Sequence, residues 1–188
     1  MSGKVTDNLG RASGLVKGVA AASSDFVKIT SATVAAGSGV VAINSFDGDT
    51  YSSYLFNMWE VKPNLNDNSL IMQLNFDSTA DTGTDYYDYV PMTGGATLNP
   101  SATANWALSV TDNQQTTTFY PWYTVRLINM HEATNKHAWF SGGWHDDNYY
   151  YGNNIFKSLN NNGTDCNGFT ITPTAGTIQY KYALYGIK

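Results

Sequence analysis

The segment SLIMQLNF (69–76) alternates: Leu70, Met72, Leu74 and Phe76 share one face, and Ile71, Gln73 and Asn75 share the other. A period of two with a polar element on the second face is that of a strand lying over a core. SYLFNMWEV (53–61) and GVVAIN (39–44) read in the same way, with FVKIT (26–30) before them. TTFYPWYTVRLINM (117–130) is a longer run containing Pro121. Proline donates no ladder hydrogen bond, so an edge or a bulge is expected there. KHAWFSGGW (136–144), GFTIT (168–172) and TIQYKYALYGI (177–187) complete the set.

Turn signals separate these runs. Asp47-Gly48, Thr93-Gly94-Gly95, Asn162-Gly163 and Asn167-Gly168 supply residues that tolerate positive φ. Roughly eight to ten short strands with hardly a helical period predict an all-β, antiparallel, jelly-roll-like β-sandwich over residues 25–188. The stretch from Asp77 to Ala104 reads as a long connection with Tyr86, Tyr87 and Tyr89 in its middle. A loop of that length in a compact domain is usually a functional or interface element. Residues 1–24 hold small residues, scattered charge and four glycines, with no persistent period. They read as an extended arm that becomes ordered against a partner. A short amphipathic helix around Leu15 to Ala22 is the alternative, weakened by the glycines.

Composition agrees with β structure. Only 13% of the 188 residues are charged, about half the usual share of roughly 25%. Asn, Thr, Ser, Asp and Gly make up the polar complement, and thirteen Tyr, eight Phe and five Trp suit pleated, half-buried surfaces. The net charge is −5, which disfavours nucleic-acid phosphates as partners. It is unevenly placed. Residues 1–28 carry Lys4, Arg11, Lys17 and Lys28 against Asp7 and Asp25, a net of +2, which leaves −7 on the rest. Lys4, Arg11 and Lys17 are therefore candidates for docking on an acidic neighbour, with a solvated tail as the plainer alternative. The single cysteine, Cys166, forms no intrachain disulfide and fits assembly in a reducing cytosol. With no signal-peptide-like or membrane-spanning run, the chain is expected to be soluble, with no membrane partner.

The densest candidate chemistry is SGGWHDDNYYYG (141–152). His145, Asp146 and Asp147 are metal-ligand types, but adjacent residues on a strand or turn point apart and seldom share one ion. No metal is expected. Trp144, His145, Tyr149, Tyr150 and Tyr151, together with Tyr86, Tyr87 and Tyr89, are candidates for an oligomer or ligand surface, where aromatics stack on sugars or flat partners. His131, His137 and His145 show no HExxH spacing, and no GxSxG, GxxxxGK[ST] or GxGxxG signature occurs. The loop carboxylates Asp47, Asp49, Asp67, Asp81, Asp85 and Asp88 keep a glycosidase formally open, although loop aspartates more often cap turns. On these grounds neither a cofactor nor an enzymatic activity is expected.

The leader GRASGLVK, the segment FVKITSA and FDGDTYSSYLFNMWEVKP resemble the start of small structural proteins of tailed bacteriophages. TVRLINMHEATNKHAWFSGGW, NGFTITPTAGTI and the closing YALYGIK resemble their C-terminal part, so the likeness covers residues 10–75 and 120–188. Each motif is short, and it is their order along the chain that carries the resemblance. It implies a virion protein assembled in the host cytoplasm: a capsid decoration (cement) protein, a head fibre, or a tail-fibre or receptor-binding module. It further implies a jelly-roll-like sandwich, commonly a homotrimer, with the major capsid protein or another virion protein as partner. It brings no catalytic residues.

Overall fold

Alternation sends one face of each strand into a shared interior, and the strands of this chain sort into two sheets around it. The computed structural model describes residues 25–64, 70–89, 102–108, 122–145, 150–161, 163 and 166–188. The predicted arm 1–24, with Lys4, Arg11 and Lys17, lies outside the described residues, as do Pro121 and Tyr149. Among the described residues there is no helix. The strands are β1 (Phe26–Ser38), β2 (Val41–Ile43), β3 (Ser53–Pro63), β4 (Leu70–Phe76), β5 (Thr79–Ala80), β6 (Tyr86–Tyr89) and β7 (Ala102–Thr103). They continue with β8 (Trp106–Ala107), β9 (Trp122–Ile128), β10 (Lys136–His145), β11 (Tyr150–Leu159), β12 (Cys166–Pro173) and β13 (Ile178–Ile187).

The larger sheet runs β1-β13-β3-β9-β10-β11-β6-β7, and the smaller runs β2-β12-β4-β5 with β8 also paired to β4. Every pairing among these strands is antiparallel. In the larger sheet β3 lies beside β13, and in the smaller β4 lies beside β12. The chain passes repeatedly from one sheet to the other, and two of these crossings, from β3 to β4 and from β12 to β13, lie side by side at one end of the sandwich. Asn64 N–H donates to Thr177 O at 3.0 Å, and Thr177 N–H donates to Asn64 Oδ1 at 2.7 Å, tying the crossings together. Two antiparallel sheets packed face to face form the β-sandwich that the strand pattern predicts.

Aromatic side chains bridge the layers. Phe56 of β3 meets Phe169 of β12 edge to face at 4.7 Å between ring centroids. Trp106 packs against Phe140 at 6.0 Å and Tyr86 at 5.3 Å, and its Nε1–H donates to Ser158 O at 3.0 Å. Cys166 is buried in this core, its Sγ 3.9 Å from Met130 Sδ.

Two segments depart from the sequence expectation. The connection 77–104 contains β5, β6 and β7, so Tyr86, Tyr87 and Tyr89 stand on a strand paired to β11 rather than on a loop tip. Residues 150–159 also form a full strand. Gly152, Asn153 and Asn154 break its apolar period, and ladder pairing to Gly143, Gly142 and Ser141 of β10 overrides that weak local signal.

Candidate interaction surface

The register of the larger sheet decides which side chains face outward. On β3, Tyr54, Phe56 and Met58 are buried, so Ser53, Leu55, Asn57 and Trp59 occupy the opposite face. Pairing carries that face across neighbouring strands. One row runs Phe26, Ile187, Ser53, Ile128 and His137, and the next runs Lys28, Tyr185, Leu55, Arg126 and Trp139. Trp59 and Trp122 flank the buried Met58–Tyr123 pair on this same outer side.

Four of the five large hydrophobic side chains found exposed among the described residues lie on this face: Phe26 (51%), Trp122 (49%), Trp139 (45%) and Trp59 (38%). The fifth, Val40, lies between β1 and β2. Gly143 explains how Trp122 lies down. A Cβ at Gly143 would stand 2.7 Å from Trp122 Nε1 and 3.1 Å from Cε2, so only glycine lets the indole rest flat on the sheet. The cations Lys28, Lys62, Arg126 and Lys181 border these aromatics, and the one described carboxylate with them is Glu60, paired to Lys181 at 2.7 Å. A groove between β1, β13 and β3 is lined by Lys28, Ser31, Thr33, Trp59, Lys181 and Tyr185 among others.

The described carboxylates gather elsewhere. Asp47, Asp49, Asp77, Asp81, Asp85 and Glu132 lie in connections, and Asp25 just before β1, at the sandwich end opposite the Asn64–Thr177 contact. There the Tyr54 hydroxyl accepts the Asp47 N–H at 2.7 Å and lies 2.9 Å from His131 Nε2. Burial, and to a lesser degree the Asp47 charge, pushes the Tyr54 phenol well above its usual range, so it stays protonated and neutral. Nearby Lys136 is buried, its ammonium donating to the carbonyls of Glu132 and Thr134. Lys157 is buried as well, 5.1 Å from the centroid of Phe140. Among the described residues no group of three or more His, Cys, Asp or Glu is placed to hold a metal ion.

The structure divides the aromatic candidates read from the sequence. Tyr86 is a correction: it is fully buried, not a surface residue. Its hydroxyl accepts the Leu74 N–H at 3.0 Å and donates to Asp81 O, and its ring packs on Trp106. Strand alternation turns it inward while its neighbour Tyr87 is half-buried. Tyr89 pairs with Phe156 in the β6–β11 ladder. Trp144 pairs with Tyr151, and His145 with Tyr150, at the far end of the β10–β11 ladder. The two clusters thus share β11 but sit at opposite ends of it. Phe26, Trp59, Trp122 and Trp139 were not legible as site residues, because each reads singly as a strand aromatic. The usable signal was that SYLFNMWEV and WYTVRLI place large apolar residues on both faces, which a two-layer sandwich cannot bury.

A scan against protein-family models found no match, and a search of curated proteins found none at a significant level.

Proposed function

We propose that this chain is a structural protein of a tailed-bacteriophage particle, of the capsid-decoration type. In this reading it has no enzymatic activity. Its body sits on the shell while residues 1–24 dock against the major capsid protein or another virion protein through Lys4, Arg11 and Lys17. The observation that carries the reading is the outer face of the larger sheet. A soluble domain rarely leaves several tryptophans exposed on one flat surface unless a partner covers them. Order-of-magnitude areas agree: four aromatics of roughly 150–250 Å² each, nearly half exposed, contribute on the order of 400 Å², within the range where patches are functional. The basic leader on an otherwise acidic chain adds an electrostatic contact of opposite sign.

Deleting residues 1–24 is expected to leave a folded domain that no longer binds particles. Retained binding after that deletion would sink the decoration reading. The second reading is a tail-fibre or receptor-binding module for a host surface glycan or protein. The flat Trp122 ring over Gly143 favours it, since an exposed indole face stacks on sugars. Copy number separates the two: a stained gel of purified particles showing hundreds of copies supports decoration, and a few copies support a tail component.

A further inference from the structure

We infer that the outer face of the larger sheet is covered by the acidic end of a second copy of this chain, in a head-to-tail contact. The inference rests on the reading of the chain as a structural protein and names the partner for its aromatic face.

Size is the first argument. From β1 to β10 the face crosses five neighbouring strands, which at about 4.8 Å each gives roughly 24 Å of width. From Ser53 to Trp59 it runs along β3 for about 20 Å at roughly 3.4 Å per residue. That flat footprint is roughly 480 Å² before the relief of its side chains is added, more than half of the ~800 Å² per partner of a stable protein–protein interface. Composition is the second. Tryptophan, tyrosine and arginine are the residue types that concentrate binding energy at interfaces, and this face carries Trp59, Trp122, Trp139, Tyr185 and Arg126 together.

Charge then selects the partner surface. The face holds Lys28, Lys62, Arg126 and Lys181 against Glu60, a described net of 4 − 1 = +3 on a chain whose total is −5. A two-fold contact would press this face on its own copy and bring like charges together. Among the described residues the acidic end offers Asp25, Asp47, Asp49, Asp77, Asp81, Asp85 and Glu132, seven carboxylates against the exposed Lys188 and the buried Lys136. Two separate surfaces of opposite sign on one chain are the arrangement of a heterologous interface, which closes into a ring or continues as a filament.

Sedimentation of the full chain tests this. The wild type is expected to form a trimer, a larger ring or a filament. Trp122→Ser with Trp139→Ser should weaken association about a hundredfold or more while leaving the far-ultraviolet circular dichroism unchanged. Arg126→Glu, an exposed charge reversal that leaves the core untouched, should weaken it about tenfold or more and serves as the second variant if the tryptophan pair fails to fold. A wild-type monomer at concentrations on the order of 100 μM overturns the inference, as does a two-fold dimer, or variants that assemble like the wild type. An assembled chain that is missing from particles would instead refute the virion reading and leave the self-contact standing.

Discussion

Gly168 stands where β12 passes β2, and the space around it is filled by backbone. A Cβ at this position would lie 2.0 Å from Ile43 O, 2.7 Å from Asn44 Cα and 2.8 Å from the Ile43 carbonyl carbon. No rotamer change relieves a clash with main chain, so β2 must retreat by more than about 1 Å to reach ordinary contact distance. That strand is three residues long and is registered on β12 through Ile43, Ala42 and Val41. Displacing it forfeits one or two ladder hydrogen bonds at about 1 kcal/mol each, added to about 1–3 kcal/mol for overpacking. Gly168→Ala is therefore expected to cost roughly 2–5 kcal/mol, a fall in Tm of roughly 4–20 °C for a domain of this size. Urea unfolding at one fixed protein concentration measures it, with Gly39→Ala as control because nothing lies within 4 Å of a Cβ there. A loss below about 0.5 kcal/mol at unchanged m value, or an equal loss in Gly39→Ala, would refute the reasoning.

Two further outcomes follow from polar groups that are wholly or partly desolvated. Tyr86→Phe removes the acceptor of the Leu74 N–H inside the core and should cost about 2 kcal/mol in the same unfolding assay, and a neutral result would show that the bond is not needed. Burial, and then the Lys136 ammonium, hold the His137 pKa below its usual 6.5. As the pH falls, the unfolded chain therefore takes up this proton before the folded one does. Stability owed to His137 is level above the unfolded value and declines as pH drops below about 6.5, until the folded group itself protonates. The difference between wild type and His137→Gln across that range isolates the effect, and stability that rises as pH falls would contradict it.

The chain itself determined the fold class. Leu70, Met72 and Leu74, or Tyr54, Phe56 and Met58, alternate so regularly that one face of each strand has to meet a core. Local turn chemistry then leaves antiparallel pairing as the short connection. The scarcity of charge and the wealth of aromatics already pointed to half-buried pleated surfaces. What tertiary structure alone decided is which aromatics stay exposed. Tyr86 looked like a loop residue, and pairing of β6 to β11 turned it into the core against Trp106. Trp59, Trp122 and Trp139 come from three separate strands, and only the register of β3, β9 and β10 sets them on one face. The gathering of Asp25, Asp47, Asp49, Asp77, Asp81, Asp85 and Glu132 has the same origin. These residues are far apart in sequence, and the up-and-down path of the strands returns their connections to one end. Alternation is a local property with a period of two and can be read from a few neighbours. A surface assembled from several strands is a property of register and strand order, fixed by contacts distant in sequence.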